Sequence, residues 1–128
     1  MIIAGIGCRR GASAAAVTAA IEAALAGRGL PRDALRAVAT AESKRRETGI
    51  AVAASAFGVP LILVSRADLE RATARILTRS ARVLALTGVP SIAEAAALAA
   101  GGSGARLLAP RLATGPATCA LAAAEAPS

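Results

Sequence analysis

The first thirteen residues constrain this chain more than any other stretch: Met1-Ile-Ile-Ala-Gly-Ile-Gly-Cys-Arg-Arg-Gly-Ala-Ser13. An apolar run ends in Gly5-Ile6-Gly7, passes Cys8, Arg9 and Arg10, meets Gly11, and opens an alanine-rich segment at Ser13. The pattern reads as a strand, a tight turn and a helix N-terminus, with Ser13 as the cap. Free backbone amides and the positive pole of a helix make such a turn favourable for an anion. Two arginines add full charge beside it. The group expected there is a carboxylate or a phosphate.

Strand and helix alternate beyond this point. Strands are expected at Ile2–Gly7, Leu35–Thr40, Leu61–Ser65, Arg106–Ala109 and Thr118–Ala123. Helices are expected at Ser13–Ala26, Ser43–Phe57, Ala67–Leu77, Ser80–Leu86 and Ile92–Ala100. Gly27 and Gly29 end the first helix, Gly58-Val59-Pro60 the second and Gly101-Gly102 the last. This alternation implies one α/β domain over residues 1–124, with a frayed tail at 125–128. Its three layers are a mostly parallel or mixed central sheet of about five strands and helices on both faces. Ligands of such folds bind beyond the carboxyl ends of the strands, which is where the Gly7–Gly11 loop falls.

Composition removes several functions. The chain has no His, Trp or Tyr, and Phe57 is its only aromatic residue. A histidine base, a histidine triad and a histidine-ligated metal are excluded. Cys8 and Cys119 lie too far apart in sequence to suggest a zinc site or a disulfide framework. No metal and no cofactor are therefore expected. Stacking of bases on aromatic side chains is nearly excluded too. The net charge of +7 is carried almost wholly by arginine, with Lys44 the only lysine, and favours anionic partners. The longest uncharged run, Gly49 to Ser65, is too short to span a bilayer, and no basic stretch precedes an apolar one at the N-terminus. The expectation is a soluble cytoplasmic protein with no membrane partner.

Three further motifs have competing readings. Gly5-x-Gly7-x-x-x-Gly11 is one residue too long for the dinucleotide fingerprint, and Glu42 comes too late to serve as its ribose acid. Lys44 and Glu47 fall where the second strand hands over to a helix. They either meet an anion or act in catalysis, or they belong to a solvated first turn capped by Ser43, with Glu47 paired to an arginine. Gly88-Val89-Pro90-Ser91-Ile92-Ala93-Glu94 is a Gly-Pro turn feeding a helix. Ser91 and Glu94 have capping-box spacing, and that helix start is a second positive pole. Arg71, Arg75, Arg79 and Arg82 recur at about one helical turn, as a solvated face or as a basic face for nucleic acid.

In this order, four blocks resemble the CobE/CbiG C-terminal domain family of cobalamin (vitamin B12) biosynthesis. They are Gly5 through Ser13; Lys44, Glu47 and Gly49; Gly88 through Leu98; and Thr118-Cys119-Ala120-Leu121-Ala122. The resemblance covers essentially the whole chain. It implies a domain found either as the C-terminal part of a longer cobalt-precorrin-5A hydrolase, which opens a lactone and releases acetaldehyde, or alone in the aerobic route. This chain, beginning at its first strand, is expected to be the stand-alone form. The implied partner is a precorrin-type tetrapyrrole, an apolar ring fringed by carboxylates, with other corrin-pathway enzymes as further partners. The implied ligand-binding residues are Gly7, Cys8, Arg9, Arg10, Gly11, Ser13, Lys44, Gly88, Ser91 and Glu94. A binder or carrier of such intermediates is the leading expectation. The alternatives are a hydrolase of a precorrin lactone, with Lys44, Glu47 or Glu94 in the site, and a basic nucleic-acid-binding module.

Overall fold

In the computed structural model, residues 1–76 and 91–124 are described. The apolar run Ile2–Cys8 is strand β1, and Ala14–Gly27 is helix α1. Leu35–Ala41 (β2), Thr48–Ala56 (α2), Leu61–Val64 (β3) and Arg66–Ala72 (α3) follow. Ile92–Gly101 (α4), Arg106–Leu107 (β4), Leu112–Thr114 (β5) and Ala117–Ala123 (β6) complete the domain. The sheet has six strands in the order β3-β2-β1-β6-β4, with β5 also paired to β6. β1, β2 and β3 run parallel, and β6 joins β1 antiparallel. It is a mixed, open α/β sheet. No helix among the described residues is long and apolar enough to cross a membrane.

Successive strand residues point to opposite faces, so Ile3 and Ala4 enter different cores. Ile6, Val17, Ile21, Leu25, Val38, Ile50 and Leu121 form one core with α1 and α2. Ile3, Val64, Leu69 and Leu98 form the other with α3 and α4, filled in by Ala37, Ala39, Ala95 and Ala96. Burying this apolar surface stabilises the fold by about 25 cal/mol per Å². The second core is thin because α4 lies directly on β1. A methyl group placed on Gly5 would fall 1.9 Å from the carbonyl oxygen of Ala93 and 2.7 Å from the Ala97 nitrogen.

Four elements differ from the sequence expectation. The segment after β2 does not continue from Ser43 into one helix. Glu42–Lys44 is a single 3-10 turn, the backbone is extended at Glu47, and α2 begins at Thr48. Tertiary bonds from Lys44 and Glu47 to the loop after β1 override helix propensity there. The third helix ends at Ala72 and tightens into a 3-10 turn over Thr73–Arg75; Leu77 lies outside the described residues. The strand read at Arg106–Ala109 shrinks to two residues. The unread strand β5 turns back into β6 through Gly115, with φ +60°, and Pro116. That Gly-Pro pair between two short apolar runs was the hairpin signal. The short helix expected at Ser80–Leu86 and the tail at 125–128 fall outside the described residues.

Candidate functional site

β1 and β2 are neighbours and parallel, with Ile6 opposite Thr40, so the loops that follow them leave one edge of the sheet side by side. A buried bond from Thr40 Oγ1 to the Ile6 carbonyl, 2.8 Å, holds that edge. Two more bonds join the loops themselves. Lys44 Nζ donates to the Cys8 carbonyl at 2.9 Å, and the Gly11 amide donates to Glu47 Oε1 at 2.7 Å. Gly49 then lets α2 start against the first loop, because a side chain there would meet the Ala12 carbonyl at 2.3 Å. Gly11 has φ +77°, a left-handed conformation that glycine adopts without strain.

The loop's amides are largely spent inside the protein. The Arg9 amide donates to the Pro116 carbonyl at 2.8 Å, and the Ala12 amide to the Arg9 carbonyl at 3.1 Å. Ser13 caps α1 as expected, accepting from the Ala16 amide at 3.1 Å. The cluster of free amides expected from the sequence is therefore mostly closed by the chain itself. Cationic binding power rests on the guanidinium groups of Arg9 and Arg10, both exposed.

The start of α4 forms the neighbouring wall. A methyl group on Gly7 would lie 3.7 Å from the Ala93 nitrogen and 3.8 Å from Ile92 Cβ, so the Gly7 backbone abuts the first turn of this helix. Thr118 Oγ1 donates to the Gly7 carbonyl at 3.1 Å and would lie 2.9 Å from the same methyl group. Ser91 caps α4 through the Glu94 amide at 3.3 Å, as the capping-box spacing predicts. Glu94 is fully buried, and its Oε2 accepts from the Arg111 amide at 3.0 Å. Gly88 lies outside the described residues.

The structure thus brings Gly7, Cys8, Arg9, Arg10, Gly11, Ser13, Lys44 and Glu47 to one edge, with Ser91 and Glu94 beside Gly7. The side chains of Lys44 and Glu47 bond to backbone groups, and Ser43 makes no cap. Burial pushes the Cys8 thiol up; Lys44 pulls it back and Glu47 raises it further. Cys119, buried under α1, is pushed up to about 12 by desolvation. Both thiols stay protonated at neutral pH, so neither is an activated nucleophile. An apolar cleft of about 170 Å³ lies at the far end of α1, lined by Ala23, Ala24, Leu108, Leu112, Cys119 and Leu121. It contains none of the ligand residues expected from the sequence.

The arginines of the third helix and those after β2 have different surroundings. Arg71 pairs with Asp68, and Arg75 donates to the carbonyls of Gly102, Ser103 and Ala105 at 3.4, 3.5 and 3.0 Å. Arg79 and Arg82 lie outside the described residues. Arg45 and Arg46 are exposed, as a solvated turn implies, but the turn is not helical: it lies between Lys44 and Glu47, whose bonds tie it to the Cys8–Gly11 loop. The available signal was the matching frame of Cys8-Arg-Arg-Gly11 and Lys44-Arg-Arg-Glu47.

Comparison with known proteins points one way. Residues 2–122 match the family model described as cobalamin synthesis G C-terminus. The curated Protein CobE of a Sinorhizobium species is 37% identical over 121 residues, covering 94% of this chain and 79% of that one. A crystal structure of CobE, a protein from the cobalamin (vitamin B12) biosynthetic pathway, superposes with a TM-score of 0.89 at 40% identity, over 95% of this chain and 89% of that one. Cobalamin biosynthesis protein chiG from Agrobacterium tumefaciens gives 0.78 at 38% identity, over 98% and 100%. A cobalamin biosynthesis protein G homolog from Sulfolobus solfataricus gives 0.77 at 26% identity, where the match spans 97% of this chain and 37% of the longer one.

Proposed function

We propose, from the premise that this chain belongs to the cobalamin synthesis G C-terminus family, that it binds or carries an anionic precorrin-type tetrapyrrole. It is a cobalamin biosynthesis protein of the CobE and CbiG kind. The observation that carries the binding reading is the meeting of two loop-to-helix junctions, with the Gly7 backbone set against the first turn of α4. Arg9 and Arg10 stand at one junction, at the carboxyl edge of the parallel strands. Guanidinium groups form charge-assisted, paired hydrogen bonds with carboxylates such as those that fringe the ring. Small, buried side chains on β1 and α4 let the two elements pack closely, which brings the start of α4 against the first loop. Gly7, Cys8, Gly11 and Ser13 shape the first wall, Lys44 braces it, and Ser91 and Glu94 belong to the second.

Catalysis is not assigned. The hydrolase reading needs an activated nucleophile or a free acid–base pair. Lys44 and Glu47 instead spend hydrogen bonds on the Cys8 carbonyl and the Gly11 amide. Further corrin-pathway enzymes fit as recipients of a carried intermediate, and the lack of stacking aromatics disfavours a nucleic-acid module.

The test is co-elution of the purified chain with a panel of precorrin intermediates. At least one should travel with the protein in stoichiometric amount. Arg9→Ala or Arg10→Ala should weaken that binding about ten- to a hundredfold, the value of one or two charge-assisted bonds. Failure of every intermediate to co-elute would refute the reading. Acetaldehyde release at catalytic turnover would replace it with the hydrolase.

A further inference from the structure

Arg9 and Arg10 lie between Cys8 and Gly11, and Arg45 and Arg46 lie between Lys44 and Glu47. The residues that bracket one pair bond to the residues that bracket the other: Cys8 to Lys44 at 2.9 Å, and Gly11 to Glu47 at 2.7 Å. Two polar rungs therefore hold the two loops that carry the arginine pairs next to each other, and all four arginines are exposed. Among the described residues their side chains make no ion pair; the pairs seen are Arg32–Glu22, Arg66–Glu70 and Arg71–Asp68. Glu47 Oε1 accepts from the Gly11 amide, and the charges of Glu47 and Glu42 together offset only part of the four arginines. Holding four like charges together is unfavourable unless an anion offsets them.

We propose that Arg9, Arg10, Arg45 and Arg46 form one binding rim for a ligand that carries several carboxylates on a rigid framework, with Lys44 and Glu47 as its positioning residues. The proposal extends the tetrapyrrole reading above and rests on it only for the nature of the framework. A single carboxylate occupies one guanidinium fork; four forks carried on two loops that the rungs hold together match a polyanion with several carboxylates on one framework. A carboxylate ligand is favoured over single-stranded nucleic acid because the only aromatic ring, Phe57, is already covered by Arg32 at 4.2 Å and is not free for base stacking.

The experiment is a set of titrations of the full chain with two probes. Uroporphyrin has eight carboxylates on a macrocycle; benzenehexacarboxylate has six without one. Arg9→Gln/Arg10→Gln and Arg45→Gln/Arg46→Gln should each weaken both probes by about tenfold or more. Arg36→Gln/Arg106→Gln removes the same charge from exposed positions on β2 and β4, near the opposite ends of the strands, and should stay within about threefold. Thermal melts confirm that each variant is folded. Glu47 supplies a test of positioning. Removing its negative charge favours anions, so Glu47→Gln, which keeps the acceptor, should bind at least as well as the parent. Glu47→Ala, which cuts the rung, should bind more weakly than Glu47→Gln.

If Arg45→Gln/Arg46→Gln behaves like the opposite-edge control while Arg9→Gln/Arg10→Gln loses affinity, the rim is overturned and the first-loop reading stands. If only benzenehexacarboxylate binds, through all four arginines, the rim stands and the tetrapyrrole reading falls. The rim is overturned if neither probe binds, if duplex DNA alone binds through these arginines, or if Glu47→Ala equals Glu47→Gln.

Discussion

The two halves of the opening motif are held in place by different physics. Ile2 to Gly7 is fixed by packing: Ile3 and Ile6 are fully buried on opposite faces, and Gly5 admits the α4 backbone at a distance that allows no side chain. Cys8 to Ser13 is fixed by polar bonds to Lys44, Glu47 and Pro116, and around Gly11 a side chain would meet nothing within 4 Å. The glycines look equivalent in the sequence, yet Gly5 is required for space and Gly11 for conformation. The difference separates tasks within a few residues. The buried half carries stability, and the exposed half is free to carry recognition.

That division is broken most severely at Gly5. Gly5→Val should cost at least about 3 kcal/mol, the upper end of overpacking effects, because the atoms in the way are α4 backbone rather than flexible side chains. Against a total stability of roughly 5–15 kcal/mol, the variant should melt far lower or fail to fold. Gly11→Val should cost about 2 kcal/mol for a left-handed backbone, with no clash. Gly11→Asn should recover most of it, since Asn tolerates that region. Denaturant midpoints for the three variants check the order. A Gly5→Val protein as stable as the parent would mean that α4 does not sit on β1 as described.

Much of this architecture was legible in advance. Glycine and proline punctuation together with short apolar runs located β1, α1, β2, β3, α4 and β6, because in these elements local propensity and tertiary packing agree. The capping pairs Ser13 with Ala16 and Ser91 with Glu94 were readable for the same reason. The errors cluster where long-range bonds decide. Nothing local to Lys44-Arg-Arg-Glu47 says that its ends reach 36 residues back to Cys8 and Gly11, so it read as the first turn of a helix. Arg75 read as a solvated charge, but it fastens the end of α3 to the turn after α4. The site edge was inferable from chain topology. The partners of the loop amides were not, because they come from a separate segment of the chain.

Cutting the rungs should have smaller effects. Glu47→Ala leaves the Gly11 amide facing water rather than a carboxylate and should cost about 1 kcal/mol, the net value of one hydrogen bond. Lys44→Met should instead be read at Cys8. The ammonium favours the thiolate, so its loss should raise the Cys8 pKa further above its ordinary value and shift pH-dependent alkylation to higher pH. Cys119, with a pKa of about 12, should stay unmodified until the protein unfolds. A Cys8 alkylation profile unchanged in Lys44→Met would indicate that Lys44 does not lie against the loop in solution.

The smallest effect on stability should come from the residues with the largest effect on binding. Arg9 and Arg10 are exposed and make no side-chain bond among the described residues, so each change to Ala should alter stability by no more than about 0.5 kcal/mol. Removing one of two adjacent positive charges also relieves repulsion, which pushes the change toward zero or slightly stabilising. If the exposed half of the motif serves recognition, the melting curves of Arg9→Ala and Arg10→Ala should overlay the parent while ligand affinity falls. A drop in melting temperature comparable to that of Gly11→Val would show that these arginines hold the loop together. The two halves would then share one structural task instead of dividing it.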